Sequence, residues 1–158
     1  LGFEFETDSL QRAQLWEARH NLAYAFIHGN PGKKLMLTDV CVPLSELTGA
    51  IENAREAITA SGLDGAVLGH IGDGNYHTLV IMDPANPSDL QRAEDVNHTI
   101  VEYALSRGGT CTGEHGVGVG KMKYQRQEHG RALDVMYNLK KMFDPNNILN
   151  PGKVIPRD

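Results

Sequence analysis

The sequence predicts an α+β domain in which helices pack on one face of an antiparallel sheet, followed by a C-terminal helical segment. Apolar residues recur at helical spacing in four stretches, and β-rich runs lie between them. Two of those runs flank an Asp-Gly pair, the preferred centre of a tight hairpin, so at least part of the sheet is antiparallel. With 158 residues the chain is long enough for one hydrophobic core, and no internal repeat or low-complexity stretch divides it.

Taken in order, Phe3-Glu4-Phe5-Glu6-Thr7 alternates apolar and polar residues, as a short strand does. Thr7 or Asp8 then caps a helix to about Phe26, with Leu15, Leu22 and Phe26 on one face and Arg19 beside them. Asn30-Pro31-Gly32 is a turn, and Leu35 to Val42 is a strand ended by Pro43. A helix from about Ser45 to Ala60 turns Leu47, Ile51, Ala54 and Ile58 inward and stops at Gly62. Ala66 to Ile71 and Tyr76 to Met82 form the hairpin. A helix starting near Ser88, with Gln91 completing a capping box, carries Ala93, Val96, Ile100 and Tyr103 inward and ends at Gly108-Gly109. Thr110 to Gly120 is a glycine-rich loop. One last helix spans roughly Met122 to Phe143, with Ala132, Val135, Met136, Leu139 and Phe143 as its apolar stripe, and stops before Pro145. Trp16, Cys41 and the methionines are expected in the core.

The formal net charge of −5, from 20 acidic and 15 basic residues, excludes the basic face that a nucleic-acid binder needs. No apolar run approaches the roughly 20 residues that span a bilayer, and no signal peptide is visible. Cys41 and Cys111 are too few and too far apart for a disulfide framework, which suits reduced thiols in the cytoplasm.

The chemistry-bearing segment is Gly69-His70-Ile71-Gly72-Asp73-Gly74-Asn75-Tyr76-His77. A two-residue type I′ turn on Asp73-Gly74 sets His70 directly opposite His77, with Cβ atoms about 4.5–5.5 Å apart on one side of the sheet. Two imidazoles so placed can converge on a metal ion, or form a pair on a solvated face. Gly113-Glu114-His115-Gly116 supplies a third ligand for a divalent site with an open position. Adjacent residues in an extended segment point opposite ways, so one of Glu114 and His115 ligates and the other is free for proton transfer. Gly116 to Lys121 has neither the Walker spacing nor that of a dinucleotide-binding loop. Arg19 either snorkels past its helix's apolar stripe or clamps a carboxylate.

Leu15-Trp16-Glu17-Ala18-Arg19-His20-Asn21, Thr38-Asp39-Val40-Cys41-Val42-Pro43, the histidine hairpin, Gly109-Thr110-Cys111-Thr112-Gly113-Glu114-His115-Gly116 and Asn150-Pro151-Gly152-Lys153 follow one another in the chain. In that order they resemble the C-terminal domain of FAD-linked D-2-hydroxy-acid dehydrogenases, the D-lactate dehydrogenase and glycolate oxidase family, from Phe3 to Ile155. The resemblance implies a ferredoxin-like sheet and makes residues 1–158 a substrate or cap domain. It makes the chain a fragment truncated at its N-terminus, with the FAD-binding domain absent from it and no turnover expected of it alone. It implies that His70, His77 and Glu114 hold a divalent metal (Zn, Mn or Fe), that His115 takes the proton from the substrate's C2 hydroxyl, and that Arg19 binds the substrate carboxylate. Asn150 corresponds to an asparagine that reaches the flavin.

The implied reaction is oxidation of a small 2-hydroxy acid, with hydride transfer to FAD and onward transfer to an unknown electron acceptor. Relatives acting on 2-hydroxyglutarate carry a lysine and an asparagine where Leu37 and Leu79 stand here, which points to a monocarboxylate such as D-lactate or glycolate. The implied location is cytoplasmic, peripheral to the respiratory membrane in the full-length protein. The truncated sheet leaves an edge that can pair with a second copy, giving a homo-oligomer. Two competing readings are a non-catalytic metal-binding or partner-docking domain and a small metal-dependent hydrolase.

Overall fold

A computed structural model describes residues 5–156. The chain runs α1 (Ser9–His28), β1 (Lys34–Cys41), α2 (Leu47–Ser61), β2 (Gly65–His70), β3 (Asn75–Met82), α3 (Pro87–Ser106), α4 (Gln125–His129) and α5 (Ala132–Phe143). The strand expected at Phe3 to Thr7 lies partly outside the described residues. Its remainder, Phe5 to Thr7, is irregular and leads to Asp8, whose side chain accepts from the amides of Leu10 and Gln11 at 3.0 Å and caps α1. At α3 the cap is Asn86 rather than Ser88, and Pro87 opens the helix where its missing N–H costs nothing.

The sheet order is β1-β3-β2, with both outer strands antiparallel to the centre. β1 and β2 are therefore parallel to each other, joined by α2, with β3 inserted between them. This is the split β-α-β arrangement of the predicted α+β class. β3 is buried along almost its whole length, as its central position demands. α2 and α3 cover one face through Leu47, Ala50, Ala54, Ile58, Ala93, Val96 and Ile100, which pack with Val40, Tyr76 and Val80. Since strand side chains alternate, Asp39, His77 and Leu79 fall on the other face. One face is core, and the other is left for chemistry.

Several expectations fail, each for a physical reason. The single helix from Met122 to Phe143 is broken: a 3₁₀ turn at Met122–Tyr124 leads into α4, and Gly130 (φ 52, ψ −129) separates α4 from α5. That backbone conformation is open essentially to glycine alone, so the residue that looked tolerable inside a helix is a break. The α5 stripe does not face the core. Val135 is 60% and Phe143 77% exposed, and Leu133 is the helix's only buried residue. Likewise α1 buries none of its residues, and Trp16, expected in the core, is 60% exposed. Cys41 is only half-buried, Met142 is exposed, and Met36 and Met82 do pack against the core.

Truncating the fully buried Ile100 to Ala should cost about 2–5 kcal/mol in urea denaturation, because a cavity is left between α3 and the sheet. Val135→Ala, on the stripe that periodicity alone would have placed inside, should change stability by less than about 0.5 kcal/mol.

Candidate metal centre

The hairpin does not close through a two-residue turn. Ile71–Asp73 forms a 3₁₀ turn, and Gly74, at φ 73, is the one residue of the connection in the left-handed region that type I′ requires twice. The register therefore moves: His70 pairs with Asn75, and His77 pairs with Leu68 on one side and Asp39 on the other. The expected direct opposition of His70 and His77 is thus wrong. Their convergence survives because His70's partner shifts by two residues, which preserves the face. The two rings meet as diagonal neighbours, edge to face, with centroids 5.7 Å apart.

The glycine-rich segment is brought to this face from the far end of α3. Thr110 and Cys41 form an isolated antiparallel bridge, which docks the start of the segment on the end of β1. The chain then wraps around Asp39. One carboxylate oxygen, Oδ2, accepts from Thr112 Oγ1 at 3.1 Å and from the successive amides of Gly113, Glu114 and His115 at 2.8, 2.8 and 2.9 Å. The other, Oδ1, accepts from Asn75 Nδ2 at 2.7 Å. Gly113 is required by this close approach, since a Cβ there would stand 1.8 Å from Asn75 Nδ2.

Held in this way, Glu114 places Oε1 2.9 Å from His77 Nε2 and 3.3 Å from His70 Nε2. One donor atom from each of the three residues lies within 4.8 Å of the others. His115 stacks on His77 at 4.9 Å with ring planes 12° apart, and its Nε2 is 3.7 Å from Glu114 Oε1. The loop is not extended, so the side chains of Glu114 and His115 reach the same cluster rather than opposite sides. His77 is the buried anchor, while His70, Glu114 and His115 are each about half exposed. Two imidazoles and a carboxylate converging from one side form a donor set suited to Zn, Mn or Fe.

Arg19 lines a cleft of about 590 Å³ together with Leu15 and Trp16 of α1 and with His70 and Asp73 of the hairpin. It is thus brought beside the cluster. Asn150 is not: it is exposed in the C-terminal segment, with left-handed backbone (φ 46) that asparagine tolerates.

Asp39, Asn75 and Lys121 were not singled out from the sequence as site residues. Burial pushes the Asp39 carboxyl up, but hydrogen bonds from the His115 amide, Asn75, the Glu114 amide and Thr112 outweigh it and hold the group at about 2. Burial lowers Lys121 to about 8, and its ammonium donates to the Asp39 carbonyl at 3.4 Å and to Asn97 Oδ1 at 3.2 Å. Burial also holds His77 below the ordinary histidine value, opposed by Asp39 and Glu114. His77 Nδ1 stands 3.3 Å from Asp39 Oδ1, within ion-pair reach but off the line of a hydrogen bond. The signal for Asp39 was present in the sequence as an acid inside the otherwise apolar run Leu-Thr-Asp-Val-Cys-Val.

The chain matches the family described as "FAD linked oxidases, C-terminal domain" over residues 2–154. It is 46% identical over 155 residues to an Arabidopsis thaliana protein named D-lactate dehydrogenase [cytochrome], mitochondrial, covering 98% of this chain and 27% of that protein. A Danio rerio protein named probable D-lactate dehydrogenase, mitochondrial, is 42% identical over 154 residues, covering 97% of this chain and 31% of that protein. The glycolate oxidase subunit GlcD of Bacillus subtilis is 37% identical over 145 residues, covering 91% and 30%. The chain therefore spans less than a third of the length of these relatives.

Because the Asp39 carboxyl is held below its unfolded value of 3.8, its contribution to stability is in place above about pH 4 and is lost as pH falls through about 2. Urea midpoints measured across that window should fall in the wild type and fall less steeply in Asp39→Asn. The difference should be about 2 kcal/mol at most.

Proposed function

The chain belongs to the family of FAD-linked oxidases as their C-terminal domain, and on that premise we propose that it forms the substrate-binding part of a flavin-dependent D-2-hydroxy-acid dehydrogenase. The observation that carries this reading is the meeting of Glu114 Oε1 with the Nε2 atoms of His70 and His77 beside a cleft that Arg19 also lines. The names of the relatives, D-lactate dehydrogenase and glycolate oxidase, support the substrate class.

His70, His77 and Glu114 would hold a divalent cation, and a flavin would be held chiefly by residues outside this chain. When bound, the cation supplies positive charge that acidifies a hydroxyl, and the flavin supplies the two-electron acceptor. Arg19 pairs with the substrate carboxylate through its planar fork of donors and fixes the acid's orientation in the cleft. His115, half exposed beside Glu114, accepts the hydroxyl proton at Nε2. Stacking on the buried His77 ring restricts the turning of the His115 imidazole, so its accepting atom is oriented before the substrate arrives. Asn150 contacts the flavin in this reading, from a position clear of the cluster.

Leu37 and Leu79 are direct cross-strand partners, next in line after Asp39 and His77 on the same face. A second carboxylate on the substrate would meet this apolar pair with no cation to receive it, at a cost of several kcal/mol. D-lactate or glycolate is therefore the proposed substrate. Both cysteines are free, which suits a reducing compartment, and a cytoplasmic location has no more support than the mitochondrial one in two relatives' names. Among the described residues no helix is long and apolar enough to cross a membrane. The outer edges of β1 and β2 leave the route to a homo-oligomer open.

Elemental analysis of the purified chain should find about one divalent metal per molecule, and His77→Ala should lose it. Absence of metal from the wild type would defeat the cation reading. With D-lactate, free FAD and a dye acceptor, the chain by itself is expected to give no turnover, and measurable dye reduction would show that it needs no further flavin-binding part.

A further inference from the structure

We infer that Asp39 is the positioning residue on which the cation site is assembled, acting through Glu114, His115 and His77 without ligating the cation itself. The inference rests on the cation reading above and adds to it how the ligands come to be in place. Of the three proposed ligands, His70 and His77 are placed by the sheet and Glu114 is not. Glu114 sits on an irregular loop 37 positions further along the chain than His77. Loops of this kind hold a side chain only as well as their own backbone is held.

Here the backbone of Gly113, Glu114 and His115 is held by one atom. Oδ2 of Asp39 takes the amides of Gly113, Glu114 and His115 and the hydroxyl of Thr112. Three successive N–H groups turned towards a single oxygen form a concave anion cradle, and the anion that fills it is the protein's own carboxylate. Oδ1 meanwhile takes Asn75 Nδ2 and faces His77 Nδ1. Although off the line of a hydrogen bond, this negative charge 3.3 Å from Nδ1 favours the tautomer with the proton there, which leaves the Nε2 lone pair free for the cation.

Each of the five hydrogen bonds requires Asp39 to accept, four on Oδ2 and one on Oδ1. An amide of the same shape cannot do so. The side chain introduced by Asp39→Asn would have to present its NH₂ group to the loop amides, donor against donor, or to Asn75, which could accept only by flipping and giving up its 3.0 Å bond to the Val40 carbonyl. Gly113 makes the same point from the loop side, since the cradle closes so tightly on Asn75 that no β-carbon fits.

The test is a zinc titration of the 158-residue chain against a competing chromophoric chelator, with far-UV circular dichroism confirming the fold of each variant. Asp39→Asn, which removes no ligand, should weaken zinc binding by about 10- to 100-fold. It should also speed amide exchange at Gly113, Glu114 and His115 in metal-free protein while α3 stays protected. In a Glu114→Gln background the same substitution should cost at least about threefold less affinity, because part of its effect runs through Glu114. A purely structural role would weaken both backgrounds alike.

Equal zinc affinity in wild type and Asp39→Asn would overturn the inference and leave the cation reading standing. Equal losses in the two backgrounds would overturn it as well. A wild-type chain that binds none of zinc, manganese and iron(II) in the same titration would take down the cation reading and this inference with it. Should Asp39→Asn fail to fold, Thr112→Val removes one of the four bonds to Oδ2. It is expected to weaken zinc binding a few-fold with faster exchange at the same amides, and no change in either would overturn the inference.

Discussion

A carboxylate taken out of water has to be met by donors on both oxygens, or it will not stay ionised. Asp39 is 3% exposed and is met by Asn75 on one oxygen and by Thr112 and three successive loop amides on the other. Satisfying it fixes the path of the chain from Thr112 to His115, and that path delivers Glu114 to the two histidines. The same demand explains the glycine at position 113, and the half-buried Lys121 adds a bond to the Asp39 main-chain carbonyl. Much of the site is thus the consequence of one buried charge at the end of an edge strand.

The sheet makes this possible by dividing its labour between faces. Strand alternation puts Val40, Tyr76 and Val80 under α2 and α3, and the residues between them on the opposite side. The helices and the apolar face supply stability, while Asp39, His77 and Asn75 are positioned by a rigid element that costs nothing extra to order. Parity protects the arrangement. The hairpin closes with a longer connection than Asp-Gly suggests, yet the histidines still share a face because the pairing moved by an even number of residues.

α1 and α5 show the reverse situation. α5 leaves most of its apolar stripe exposed, and on α1 Leu22 and Phe26 are half-buried while Leu15, Trp16, Tyr24 and Ile27 are exposed. Periodicity reports that a helix has an apolar side, since that is a property of the helix. What covers that side is a property of everything around it. α1 nonetheless matters to the site, because it contributes Arg19, Leu15 and Trp16 to the cleft that opens on His70.

The sequence by itself determined the α+β class, the antiparallel hairpin, the core faces of α2 and α3, the family and the cluster of two histidines with an acid. Each of these depends on local periodicity, on turn chemistry or on motifs read in order. Only the tertiary structure decided the hairpin register, the break at Gly130, the outward-facing stripe of α5 and the exposure of Leu15 and Trp16 on α1. It alone showed Asp39 as the centre of the site. The bonds that define its role join residues more than seventy positions apart, as in Asp39 to Gly113, and no local pattern records a hydrogen bond formed only when a distant loop folds back.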